Sequence, residues 1–420
     1  MEAIVIKGGK KLVGNVKISG AKNAALPILV AAILSKEDLA LSNVPFLSDI
    51  DTMIELLEHL GVKVSRAEDS MILNGESINM KEAPYDIVSK MRASIWVLGA
   101  LLGRNHQARV AFPGGCTLGA RQIDLHISGL EAMGVVFEID AGYIIAKAPS
   151  GLRGIHFNFD KISVGATINL ILAAVLAEGE TVLSNAAMEP EIVSLCDCLV
   201  AMGAKISGIG THNIKINGVE KLHTANYGVI PDRIEAGTYM IAAAITKGDV
   251  LIEGIEYNLV ENLAIKMIEA GVDITYNEQG IRVVAANDLK AVDVSTLPYP
   301  GFPTDLQAQY MTLMTLAKGT SVITENIFEN RFMHVSELCR MGANITITGH
   351  HTAIVRGVDE LSGAEVMASD LRASVALILA GLVASGETRV RKIHHLDRGY
   401  ENLEFKLRNC GAEIERVKEN

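Results

Sequence analysis

The sequence predicts an α/β protein made of six copies of one unit of about 70 residues, gathered into two globes of three units each. Three observations predict it. An amphipathic stretch ending in glycine and running straight into an alternating strand occurs six times. A strongly apolar helical stretch of about 12 to 16 residues, again followed by a strand, occurs six times between those glycines. The glycines Gly61, Gly134, Gly203, Gly271, Gly342 and Gly411 are spaced by 73, 69, 68, 71 and 69 residues, a near-constant period over the whole chain.

The glycine-terminated copies read LEHLGVKV, LEAMGVVF, LVAMGAKI, MIEAGVDI, LCRMGANI and LRNCGAEI. Each is a helix end whose glycine can take positive φ, with apolar residues then alternating as in a half-buried strand. The apolar copies read AALPILVAAIL, ASIWVLGALLG, GATINLILAAVLAEG, AGTYMIAAAITKG, DLQAQYMTLMTLAKG and ASVALILAGLVASG. Apolar residues on nearly every face predict helices buried on all sides. Six such units are too few and too large for a solenoid of short repeats, which leaves two pseudo-threefold globes.

Length and charge bound the function. A chain of 420 residues with 49% apolar and 21% charged side chains is globular and large enough for two or three cores. A formal charge of −11 argues against a surface that coats nucleic acid or an anionic membrane, so an anionic ligand must meet a local basic cluster. The longest apolar runs, 24–34 and 375–384, fall short of the roughly 20 residues of a membrane span. The start MEAIVIKGGK lacks a basic segment before a long apolar stretch, so a secretory signal is not expected and the cytoplasm is the expected compartment. Five cysteines without framework spacing fit reduced thiols.

Four of those thiols, Cys196, Cys198, Cys339 and Cys410, lie on the amphipathic helices where a small core residue is expected, and no second Cys or His pair completes a metal site around Cys196 and Cys198. Cys116 differs: it sits in the Pro- and Gly-bounded loop FPGGCTLGARQIDLH, close to Arg121 and His126, a setting that can stabilise a thiolate but that also suits an incidental thiol. The cations fall at the joints. Lys22, with Asn23, opens the first apolar helix, Arg92 the second, Lys161 precedes the third and Arg372 lies in the first turn of the sixth. Helix amino termini attract anions, and a flanking cation completes such a site, although singly each is explained by a surface ion pair. Asp305 and Asp370 occupy similar joints, where an Asp is first an N-cap and, facing cations, can also carry a proton.

Familiar phosphate motifs are missing. Gly9 and Gly14 have Walker spacing, but Asn15 and Val16 stand where that motif needs Lys and a hydroxyl residue. No GxGxxG follows a strand, and the His pairs at 350–351 and 394–395 lack a metal-ligand pattern.

The segments ISGAKNAALP, PGGCTLGARQIDLH, PDRIEAGTY, YPGFPTDLQAQ, ENIFENRFMHVSEL, DLRAS and HHLDRGYENLEFKL closely resemble the UDP-N-acetylglucosamine 1-carboxyvinyltransferases, the enolpyruvyl transferases of peptidoglycan synthesis, over essentially the whole chain. The resemblance implies an inside-out α/β barrel architecture: two domains, each of three repeated βαβαββ-like units with helices inside and sheets outside. One domain would span 22–229 and the other would join 1–21 to 230–420, with ligands in the cleft between them. It also implies the reaction, addition and then elimination, that moves the enolpyruvyl group of phosphoenolpyruvate to the 3-hydroxyl of UDP-N-acetylglucosamine. No cofactor, metal, nucleic acid or membrane partner is implied. One chain would carry a complete site, whatever the oligomeric state.

By this resemblance Cys116 is the proton donor, the thiol that forms an adduct with the phosphoenolpyruvate skeleton, and the target of fosfomycin. Lys22, Arg121 and Arg398 resemble the phosphate and carboxylate ligands, and Asn23 and Asp305 the sugar contacts, Asp305 as a possible base. Arg92, the run Arg121, Gln122, Ile123, Asp124 and Leu125, the run Lys161, Ile162, Ser163 and Val164, and Ile327 resemble the contacts of the uridine diphosphate and sugar. Arg331, Asp370 and Arg372 complete the set. Gln122 departs from the family, which often has Pro there, and so alters packing near the uracil and not the reacting centre. Two alternatives stand beside this reading. The shikimate-pathway enolpyruvyl transferase shares the fold but does not use the PGGC loop, and a non-catalytic paralogue that binds the sugar nucleotide would not need the whole constellation.

Overall fold

In the structure, a computed structural model that describes residues 2–68, 70–79, 82–113, 123–285 and 288–418, the six glycine joints have one geometry. All six glycines lie between φ 95° and φ 101°. At each, the glycine N–H and the next N–H reach back to carbonyls of the last helical turn, as in Gly134 to Glu131 (2.9 Å) and Val135 to Leu130 (3.1 Å), the double bond of a Schellman motif. An apolar pair closes every copy: Val62 with Leu57, Val135 with Leu130, Ala204 with Leu199, Val272 with Met267, Ala343 with Leu338, and Ala412 with Leu407. Recurrence of one cap six times explains why the period is legible in the sequence.

The apolar stretches form helices Lys22–Ala31, Val97–Asn105, Val164–Ala174, Arg233–Ile245, Gln307–Met314 and Leu371–Val383. Three are shorter than their apolar runs because 3₁₀ turns take over at one end: Ala32–Leu34 after the first, Arg92–Trp96 before the second and Thr304–Leu306 before the fifth. They are buried on every face; in Val164–Ala174 each residue from Ala166 to Ala174 is inaccessible. Burying a Leu, Ile or Val side chain contributes about 1.5–3 kcal/mol, so each helix anchors its unit.

Every sheet among the described residues has four strands in one arrangement. The strand after the buried helix, such as Glu180–Ser184, pairs antiparallel with the second strand of a hairpin, Asn213–Asn217, which pairs with the first, Lys205–Ser207. Its other edge takes a short parallel strand, here His156–Asn158. Alternation selects the faces: in Asn213–Asn217 the isoleucines Ile214 and Ile216 are buried while the three polar residues are exposed. These sheets are separate ladders of four strands, with helices inside and sheets outside, as the resemblance implied.

The described residues divide into two compact units, one between Gly20 and Ile230 and the other joining those up to Ser19 to those from Pro231 onward. In the first unit, the sheet of the first repeat is completed by Ala225–Gly228, which comes after the third repeat. The second unit is completed by the amino terminus: Val13–Lys17 lies parallel to Asp249–Glu253, and Glu2–Lys7 lies between Glu387–Arg391 and Glu413–Lys418. In that unit the three buried helices pack on one another, and in the first unit Val97–Asn105 packs on both of its counterparts.

Because Gly342 has φ 95° and open space where a Cβ would stand, only the backbone penalty opposes a side chain there. Gly342→Ala is expected to cost about 1–2 kcal/mol in chemical denaturation, and Gly342→Asn less, since Asn tolerates the left-handed region. Equal stability of Gly342→Ala and the parent would contradict this role.

Candidate active site

The starts of the buried helices carry the polar chemistry. In the unit of residues 20–230, Lys22 is the first residue of its helix, and its Nζ lies 3.2 Å from Oδ2 of Asp49, in the first turn of helix Ser48–Leu60. Both side chains are largely buried, so the cation is held at the helix start. Asn23 follows it and is half-buried. Arg92 opens the 3₁₀ turn ahead of the second helix, and Ser163 caps the third, its Oγ accepting from Ala166 N at 3.3 Å. Lys161 is exposed, and Ile162 and Val164 flank the cap half-buried. Ile123 is buried just before helix Asp124–Ala132, whose first two residues are Asp124, exposed, and Leu125, half-buried. Cys116, Arg121 and Gln122 lie outside the described residues.

One buried residue ties these segments together. His126, in the first turn after Ile123, places Nδ1 3.0 Å from Nδ2 of Asn169 on the third helix. Asn169 Oδ1 accepts from Gly99 N at 2.8 Å, which turns its amide nitrogen toward His126 and makes that ring nitrogen an acceptor. Gly99 is required at this crossing, since a Cβ would lie 2.2 Å from the Asn169 carbonyl oxygen. Trp96 Nε1 donates to the Gly165 carbonyl at 3.1 Å. Burial, and then the positive charge of Arg92, push the His126 imidazole down to about 4, so it stays neutral.

In the other unit, Asp305 is central and is not an N-cap. Its Oδ1 accepts from Arg331 at 2.8 Å and its Oδ2 from Arg372 at 2.6 Å, both guanidinium groups being buried. Burial alone would drive Arg372 toward neutrality, but the charge of Asp305 and its neighbours outweighs it and raises Arg372 above its ordinary value. Arg372 also donates to Tyr400 OH at 3.3 Å, which bonds Thr238 Oγ1 at 2.8 Å, while Gln309 Nε2 donates to the Asp305 carbonyl at 2.9 Å. Residues of all three buried helices of this unit thus meet around Asp305 and Tyr400. Asp370 does what its sequence position suggests: Oδ1 accepts from the N–H groups of Arg372 (2.9 Å) and Ala373 (3.1 Å). Arg398 ends the 3₁₀ turn Ile393–Arg398, and Ile327 is half-buried in the segment after strand Thr320–Thr324.

The thiols divide by environment. Burial pushes those of Cys196 and Cys198 up to about 12, which makes them inert. Cys339 is exposed, contrary to the core position expected for it, because it faces away from the buried side of the short helix Val335–Arg340. Sequence patterns do not single out Asp49, Asn169, Gln309, Tyr400 or Glu325; their only signal is a polar residue inside or beside an otherwise apolar run.

Over residues 6–407 the chain matches the family described as EPSP synthase (3-phosphoshikimate 1-carboxyvinyltransferase). Proteins named UDP-N-acetylglucosamine 1-carboxyvinyltransferase are 59% identical in Rickettsia bellii (strain OSU 85-389) and 58% in Rickettsia akari (strain Hartford), each alignment covering 99% of this chain and 100% of the relative. This chain belongs to the enolpyruvyl transferase family.

Solved structures of the family share the fold. The enolpyruvyl transferase NikO from Streptomyces tendae superposes with a TM-score of 0.89 at 23% identity, covering 99% of both chains. An EPSP synthase from Acinetobacter baumannii superposes at 0.77 with 18% identity, covering 99% of this chain and all of that one. Within this transferase, the neutral His126 has a consequence for stability. The unfolded chain protonates it near its ordinary 6.5 while the folded chain resists until about 4, so stability falls as pH drops through that window. Replacing it, as in His126→Gln, is expected to make the loss between pH 6.5 and pH 4 shallower by about 3 kcal/mol in denaturation series. An unchanged slope would show that His126 titrates alike in both states.

Proposed function

We propose that this transferase moves the enolpyruvyl group of phosphoenolpyruvate to the 3-hydroxyl of UDP-N-acetylglucosamine and releases phosphate, the first committed step of peptidoglycan synthesis, in the cytoplasm. The observation that carries the reading is identity near 59% over the full length of relatives with that name, against 18% for the EPSP synthase of the same fold.

The chemistry needs a proton delivered to the methylene carbon, a place for the hydroxyl proton and compensation for concentrated negative charge. Cys116 is assigned the first role, and its thiol can also add to the C2 carbon of protonated phosphoenolpyruvate; the same thiol is the proposed target of fosfomycin. Protonation makes C2 cationic, the sugar oxygen attacks there and gives up its proton, and loss of a methyl proton with cleavage of the C2–O bond to phosphate restores the double bond. No electrons are exchanged with a cofactor. Lys22, Arg121 and Arg398 are assigned to the phosphate and carboxylate, anions that favour guanidinium and ammonium partners.

Asp305 and Asn23 are assigned to the sugar. Each oxygen of Asp305 already accepts from an arginine, yet a carboxylate oxygen can accept twice, and about a quarter of the side chain stays exposed for a hydroxyl. Arg331 and Arg372 hold that carboxylate in one orientation, with Asp370 fixing the helix start that carries Arg372. Arg92, Gln122, Ile123, Asp124, Leu125, Lys161, Ile162, Ser163, Val164 and Ile327 are assigned to the sugar nucleotide.

Phosphate release from phosphoenolpyruvate is expected only when UDP-N-acetylglucosamine is added, and Cys116→Ala is expected to abolish it. Release with shikimate 3-phosphate instead would transfer the chain to the other branch of the family. No release with either acceptor would favour a binding protein if calorimetry still detects the sugar nucleotide.

A further inference from the structure

Glu325, at the end of strand Thr320–Thr324, is fully buried and carries no role in the reaction as assigned above. Its carboxylate accepts four hydrogen bonds. Oε1 takes Thr296 Oγ1 at 2.9 Å, Ile327 N at 2.8 Å and Phe328 N at 3.1 Å, and Oε2 takes Thr304 Oγ1 at 2.9 Å. Thr296 Oγ1 itself accepts from Asn326 N at 2.9 Å, so its proton is committed to Glu325. The backbone is pinned as well: Glu325 N donates to the His351 carbonyl at 2.8 Å, and His351 Nδ1 donates to the Glu325 carbonyl at 2.9 Å.

These bonds clasp the 325–331 segment to the turn Thr304–Leu306 at both ends. Glu325 holds Thr304 at one end, and Arg331 holds the adjacent Asp305 at the other. Ile327 lies between the two clasps, its N–H fixed by the same carboxylate. A buried carboxylate that satisfies four donors is expensive to replace, since its loss leaves each of them unpaired. We propose that Glu325 is a positioning residue for the acceptor: it joins Ile327, assigned to the nucleotide, to the turn that carries Asp305, assigned to the sugar hydroxyl, so that both ends of one ligand are met by a single rigid piece. This rests on the functional reading above.

The test compares Michaelis constants for both substrates in Glu325→Ala, Glu325→Gln and Thr304→Val, with calorimetric binding of UDP-N-acetylglucosamine alongside. In Glu325→Ala the KM and Kd for UDP-N-acetylglucosamine are expected to rise about tenfold while the KM for phosphoenolpyruvate stays within about twofold. Glu325→Gln is expected to recover most of that loss, because its amide oxygen can keep the three bonds at Oε1 and the Thr304 hydroxyl can turn to accept from the NH₂ group. Thr304→Val, which removes only the Oε2 link, carries the same test at about threefold if Glu325→Ala fails to fold. Unchanged KM for UDP-N-acetylglucosamine, equal rises for both substrates, or a lower melting temperature alone would overturn the proposal. If the unaltered protein neither binds UDP-N-acetylglucosamine nor turns it over, the functional reading itself fails, which is a different result.

Discussion

A helix that is apolar on every face has one stable environment, the inside of a protein, and six of them dictate the rest of this structure. Each must be wrapped, so the sheets lie outside with one face in water, and the charged groups of the helical segments lie near their ends. Three buried helices packed together then bring their starts near one another. In the carboxy-terminal unit that convergence is visible as contacts among Thr238, Asp305, Gln309, Arg372 and Tyr400. In the other unit the polar crossing of Asn169, Gly99 and His126 plays the same part.

Electrostatics follow from that burial. The chain carries a formal charge of −11, yet Lys22, Arg331 and Arg372 are not free surface charges. Lys22 is held by Asp49, and Arg331 and Arg372 by Asp305, in surroundings where an unpaired ion would be costly. Pairing fixes the directions of these groups, which is the condition for recognising an anion or a hydroxyl without reorganisation. The same burial keeps His126 neutral and the Cys196 and Cys198 thiols protonated.

What is legible in the sequence is local. A glycine at C′ and an apolar face every few residues are set within one helix and its following strand, so the six joints and the six buried helices can be read directly. Partners distant in sequence cannot. Asp305 has the spacing of an N-cap, like Asp370, and only the fold brings Arg331 and Arg372, 26 and 67 residues away, onto its two oxygens. Glu325 and Asn169 look like ordinary polar residues beside apolar runs, because their meaning lies in donors supplied by other segments. The exposure of Cys339 escapes the pattern because the fifth amphipathic helix is only Val335–Arg340, too short for its periodicity to define a face. The exchange by which Glu2–Lys7 enters the sheet of the last repeat depends on chain closure and leaves no periodic trace.

The central claim is that these paired groups serve enolpyruvyl transfer to one particular hydroxyl. Carbon and proton nuclear magnetic resonance of the product formed from ¹³C-labelled phosphoenolpyruvate and UDP-N-acetylglucosamine tests it most directly. A vinyl ether whose labelled carbon couples through oxygen to C3 of the sugar is the expected result. Attachment at another hydroxyl, or recovery of both substrates unchanged, would contradict it.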